Sequence, residues 1–212
     1  DREFALSNII TPRDILFVAL GDSLSSGEGN PERPYNDVDL ERNNFNADIW
    51  ADDGGNGDAT LPPNAFHRVS HRSTLSWPAQ AALALERADP HTSVTFVFLA
   101  ASGAQSWHVL PTAQGGRPYW GVDPLSPDPR LVMKPQLETM FDLTRGRTID
   151  IVTMSVGIND MGFSLILKEL LKGGYGDNIE KRLALEHSAW TGIWPEGEVR
   201  SGLENLRARL SL

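Results

Sequence analysis

"LFVALGDSLSSGEGN", residues 16–30, passes without a break from apolar side chains into a turn of small ones. The fold hangs on its first half. "ILFVAL" (15–20) is short, rich in branched and aromatic residues, and free of polar alternation. That pattern belongs to a strand covered on both faces, as in a parallel sheet. Two further runs share it, "VTFVFLA" (94–100) and "IVTMSV" (151–156). Between the first two, "STLSWPAQAALALERA" predicts a helix, with Ser76 as N-cap, Pro78 in the first turn and an alanine-leucine face extending to Arg87. "PQLETMFDL" (135–143) predicts a second helix ahead of the third strand. Beyond that strand, "NDMGFSLILKELLKGG" predicts a helix stopped at Gly173-Gly174, and "VRSGLENLRARLSL" a final amphipathic one. Strands alternating with helices place the chain in the α/β class, with a doubly wound, mainly parallel sheet.

Length and charge narrow the rest. With 212 residues there is room for one sizeable core and little for two, so a single domain spans 1–212. Two stretches break its rhythm, 28–70 and 111–130, both crowded with Asn, Asp, Gly and Pro. Loops of that length in a compact domain are either functional or disordered. A formal net charge of −9 argues against nucleic acid and against an anionic membrane surface as partners. No apolar run approaches the roughly 20 residues that span a bilayer. "DREFALSNII", at the start, lacks the basic and apolar regions of a signal peptide, though a chain beginning at Asp1 admits an upstream segment already removed. The absence of cysteine excludes disulfides, thiol catalysis and thiolate metal sites. "DDGGNGD" (52–58) offers oxygens of the kind calcium takes, but not at EF-hand spacing, and reads as an acidic loop rather than a metal site. Of the six tryptophans, Trp107, Trp120 and Trp190 fall in or near irregular stretches, where they either line a pocket or pack.

Ligands of open α/β sheets bind outside the carboxyl ends of the strands. Here the three strands are followed by Gly21-Asp22-Ser23, by Ala101-Ser102-Gly103-Ala104 and by Gly157-Ile158-Asn159-Asp160. A hydroxyl, a glycine amide and a side-chain amide thus converge on one rim. These are the components of acyl transfer, in which a serine attacks a carbonyl and fixed N–H donors hold the oxyanion. Each has a plainer reading alone: Ser23 as a turn former, Gly103 as a packing glycine, Asn159-Asp160 as the cap of the next helix. "GDSLSSGEGN" also lacks the Gly-Lys-Ser/Thr ending of a P-loop and the glycine spacing of a dinucleotide site. Three motifs in order, each directly behind an apolar strand, favour the chemical reading.

"GDSLSSGEG", "AASGAQ" and "GIND", with the lead-in "IDIVTMSVGINDMGF", resemble the SGNH (GDSL) hydrolases, and their secreted-esterase branch in particular. The similarity runs from about residue 14 to about residue 172. It implies a three-layer α/β/α fold and an ester hydrolase working through an acyl-enzyme without a cofactor. Ser23 would be the nucleophile, and its own amide, the Gly103 amide and the Asn159 side chain the oxyanion hole. The substrate would be a small-molecule ester, with lipids and acylated sugars both within the family's range. Export, to the periplasm or beyond, is favoured by the same resemblance.

One family motif is missing, the Asp-x-x-His that supplies base and orienting acid. Three residues before His67, His71, His91, His108 and His187 stand Asn64, Arg68, Ala88, Gln105 and Ala184. The expectation is therefore that the sequence is the N-terminal part of a longer catalytic domain. The alternatives are a non-catalytic binding module that keeps the pocket, and a chain completed by a second polypeptide. His71, in an insertion near the sheet rim, and His108, close behind the second motif, are the candidates for a substitute base within the sequence, each with the plainer reading of a structural histidine.

Overall fold

The computed structural model describes residues 12–33, 50, 65–110, 132–160 and 204. Arg13–Gly21 forms β1, Thr92–Phe98 β2 and Ile151–Ser155 β3. β1 lies in the middle of a parallel sheet ordered β2-β1-β3, its register running from Arg13↔Thr92 to Ala19↔Phe98 on one side and from Phe17↔Ile151 to Gly21↔Ser155 on the other. Consecutive side chains of a strand face opposite ways. Leu16, Val18 and Leu20 thus enter one core, with Leu99, Ala101, Val109, Leu110, Leu137 and Met140. Phe17, on the opposite face, meets Phe96 of β2 edge to face at 5.6 Å. Every residue of β1 from Ile15 to Gly21 is buried, as its uninterrupted apolar run predicts.

The same expectation does not hold for the two flanking strands. β2 and β3 are only half-buried, and Val152 is 38% exposed. Among the described residues each has β1 on one side alone. An apolar run therefore reported strand identity correctly and overstated the cover on its flanks.

Among the described residues, helical segments between β1 and β3 are α1 (Ser23–Ser26), α2 (Ala65–Ser70), α3 (Trp77–Ala88), α4 (Ser106–Val109) and α5 (Gln136–Thr144). α3 and α5 fall where the sequence predicts helices. Ser76 holds the cap position of α3 with extended backbone and takes Gln80 N–H on its carbonyl at 3.0 Å, but its buried hydroxyl makes no cap bond. α3 packs on β2. α5 turns Leu137 and Met140 into the core and ends at Arg145, which adopts the left-handed conformation (φ 47°).

Gln136, the first residue of α5, reaches the end of β1. Its side-chain carbonyl accepts Gly21 N–H at 2.7 Å and its NH₂ donates to Gly21 O at 2.8 Å. Gly21 needs to be glycine, because φ is +130° and a Cβ there would collide with the Ser155 backbone. The described residues contain no helix long and apolar enough to cross a membrane. The helices expected after β3 and at the C-terminus lie outside the described residues, as do most of the 28–70 and 111–130 stretches, Trp120, Trp190, His187 and 52–58.

Candidate active site

The rim is assembled by hydrogen bonds between the three strand ends. Asp22 N–H donates to Ser155 O at 3.0 Å and Ala101 N–H to Gly21 O at 3.0 Å, so the turn after β1 is fastened to both neighbours. Asp22 is wholly buried and caps α1: its Oδ1 accepts Leu24 N–H at 3.1 Å and the Ser155 hydroxyl at 2.7 Å. Ser155 in turn meets the Ser25 hydroxyl at 2.8 Å. α1 closes after one turn because Gly27 is left-handed (φ 104°) and donates its N–H back to Ser23 O.

Ser23 is therefore held as the first residue of a helix whose cap lies in the core. It is itself half-buried. Among the described residues neither its N–H nor its hydroxyl has a hydrogen-bond partner. A first-turn N–H is left over by helix geometry, and it faces whatever occupies the rim.

Gly103 follows β2 with φ +76°. Its neighbours are all engaged: Ala101 N–H on Gly21 O, Ser102 N–H on Ser70 O at 2.9 Å, and Ala104 N–H on Ala101 O at 3.1 Å. The Gly103 N–H, on an exposed residue, has no acceptor among the described residues. Asn159 is half-buried, and its Nδ2 donates to Ala104 O at 2.8 Å. That bond uses one of its two N–H groups. Ser23, Gly103 and Asn159 thus occupy the three adjoining strand ends, two of them on segments directly bonded to each other.

Asp160 does something the sequence did not suggest. Its carboxylate accepts the Ser106 N–H at 3.1 and 3.0 Å and the Ser106 hydroxyl at 2.8 Å. It thereby holds the first turn of α4, a helix on the preceding crossover. The contact spans 54 positions and leaves no trace in local spacing.

The histidines are arranged otherwise than a base for Ser23 requires. His71 is buried, with left-handed backbone (φ 50°), and its ring stacks on Trp50 at 4.3 Å and 10°. Its Nδ1 lies 2.7 Å from Glu28 Oε2. Burial pushes the Glu28 carboxyl up, but the hydrogen bond from His71, the charge of that ring and a hydrogen bond from Ser102 together hold it below the usual carboxylate range. Glu28 N–H also donates to Ser23 O at 3.1 Å. The Glu28-His71 pair therefore stands beside the rim. Sequence reasoning missed Glu28, since its partner is 43 residues away.

His108 turns both ring nitrogens to its own turn, Nδ1 lying 3.0 Å from Gln105 N and Nε2 3.1 Å from Trp107 Nε1; a neutral imidazole accepts from only one of the two. His91 sits at the amino end of β2, on the opposite edge, beside Asp89 at 3.2 Å. None of these rings hydrogen-bonds Ser23. A cavity of about 740 Å³ runs along β2, lined by Phe66, Arg72, Phe98, Met133 and Leu143, and touches none of the three rim residues. The described residues hold no cluster of three or more metal-ligating side chains.

Comparison with protein-family models, with curated proteins and with solved structures found no match for this chain.

Proposed function

We propose that the rim is an acyl-transfer site and the protein a serine ester hydrolase of the SGNH type. The observation that carries this reading is the selective lack of partners at the strand ends. Amides on either side of Gly103 are bonded and its own is not; the Ser23 N–H and hydroxyl are likewise unengaged among the described residues. Gly103 is exposed and Ser23 half-buried, so these groups are open to an incoming ligand, and their grouping at the strand ends supports a site there.

In the proposed cycle Ser23 Oγ attacks an ester carbonyl. Negative charge grows on the carbonyl oxygen, and the Ser23 N–H, the Gly103 N–H and the second Asn159 N–H receive it. These donors are fixed before the reaction, so little reorganisation accompanies charge development. Collapse expels the alcohol and leaves an acyl-Ser23, which water then cleaves by the reverse sequence of proton transfers. The base for both steps comes from residues of this chain outside the described ones. The finer fold belongs to the same proposal. The order β2-β1-β3 takes the chain first to one side of β1 and then to the other, and right-handed crossovers then lay helices on both faces, giving three layers.

The second reading is a non-catalytic binding module with the same rim. The observation favouring it is that no described histidine bonds Ser23. Turnover of a small chromogenic ester separates the two. Hydrolysis by the chain, abolished in Ser23→Ala, supports the enzyme; ester binding without turnover in the native chain supports the module.

A further inference from the structure

We infer that Asp160 and Ser106 are positioning residues that set the width of the oxyanion hole; this rests on the acyl-transfer reading above. If Gly103 and Asn159 share one oxyanion, what matters is the separation of two loops that belong to different strands. Covalent structure does not fix it. Gly103 lies 56 positions before Asn159 in the chain, by the difference of their numbers.

Two consecutive residues of the β3 turn close that gap. Asn159 grips Ala104 O at 2.8 Å, one residue past Gly103. Asp160 grips Ser106 through both its amide, at 3.1 and 3.0 Å, and its hydroxyl, at 2.8 Å. Ala104 and Ser106 are 0% and 1% exposed, so the anchored end is embedded in the core and does not follow the turn if it shifts. Hydrogen bonds to a carboxylate are among the stronger ones available to a side chain. The Asn159 contact alone leaves its amide free to pivot about the Nδ2–O axis. The Asp160 contact, one residue on, ties the same turn to the segment behind Gly103 a second time and so restrains that freedom. Gly103 benefits equally, because Ser106 terminates the short segment that carries it.

The inference has a kinetic signature that a merely structural role lacks. The oxyanion forms in the transition state, so loosening its donors lowers kcat while substrate binding is kept. Asp160→Ala is expected to lower kcat by on the order of 10- to 100-fold, the scale of a displacement of about 1 Å in catalytic groups. KM is expected to change by no more than about 2-fold, since ground-state binding does not use the hole. Asp160→Asn, which keeps one acceptor for the Ser106 N–H, is expected to recover part of the loss, and Ser106→Ala, which deletes only the hydroxyl contact, to show the smallest effect.

The experiment is a steady-state comparison of the native chain, Asn159→Ala, Asp160→Ala, Asp160→Asn and Ser106→Ala on one chromogenic ester, with thermal midpoints recorded for each. A fall in kcat graded as above at unchanged KM, in variants that melt cooperatively, upholds the inference. If Asn159→Ala is crippled and all three latch variants retain native kcat, the latch is refuted and the hydrolase reading stands. A native chain that fails to turn over any ester refutes the reading, and the inference with it. Should Asp160→Ala fail to fold, the Asp160→Asn and Ser106→Ala pair still decides, since each leaves at least one of the Ser106 contacts in place.

Discussion

At the scale of single residues, the proposed chemistry rests on groups whose neighbours are saturated while they are not. Gly103 is the sharpest case: the amides on both sides are spoken for and its own is open. Asn159→Ala removes one oxyanion donor and is expected to lower kcat by on the order of 100- to 1,000-fold. The accompanying loss of its bond to Ala104 O is worth about 1 kcal/mol of stability, so steady-state kinetics and a thermal melt on the same sample distinguish the two roles. Glu28 gives a pH prediction. Its carboxyl titrates lower in the folded chain than in the unfolded one, so the stability it contributes is complete above the unfolded value and is lost as pH falls through the folded one. Thermal midpoints of the native chain and Glu28→Gln should therefore differ at pH 7 and draw together as pH falls below the usual carboxylate range. Midpoints that keep a constant separation down to pH 3 would show that the pair with His71 is not ionic.

The elements show why some of this was legible in sequence and some was not. Strand identity is a local property of apolar runs, and 15–20, 94–100 and 151–156 each became a strand within two or three residues of the expected bounds. Helices expected at 76–87 and 135–143 likewise fall in place, at Trp77–Ala88 and Gln136–Thr144, because their apolar faces are local. Cover on β2 and β3 is not local, and there the same apolar pattern misled. Nor are the bonds that join loops: Gln136 to Gly21, Glu28 to His71 and Asp160 to Ser106 each link residues far apart in the chain. Ser23, Gly103 and Asn159 could be proposed from sequence because each lies in the turn after a strand; the residues bonded around them could not, because nothing in their own neighbourhood marks them. The base was unreadable for a different reason, since the motif that would carry it is absent and the described histidines are engaged elsewhere. At this scale the core makes its own prediction. Leu137→Ala in α5 empties a fully buried position behind Leu16, Val18 and Leu20 and should cost about 2–5 kcal/mol by chemical denaturation, without altering the slope of the transition. Gly21→Ala should destabilise as well, through strain at φ +130° and collision with Ser155.

Across the described residues, one end of the sheet carries Ser23, Gly103 and Asn159 together. The parallel arrangement makes this possible: every described strand ends on the same rim, and the turn after each contributes one group. The opposite edge, with His91 and Asp89, holds exposed surface pairs and none of the three rim residues. The central claim is that Ser23 is an activated nucleophile on that rim. The most direct measurement is an intact-mass spectrum of the 212-residue chain after incubation with a fluorophosphonate, followed by peptide mapping. The account predicts one adduct per chain, on Ser23, and none in Ser23→Ala. A native chain that stays at its unmodified mass, or is labelled at another residue, would contradict it.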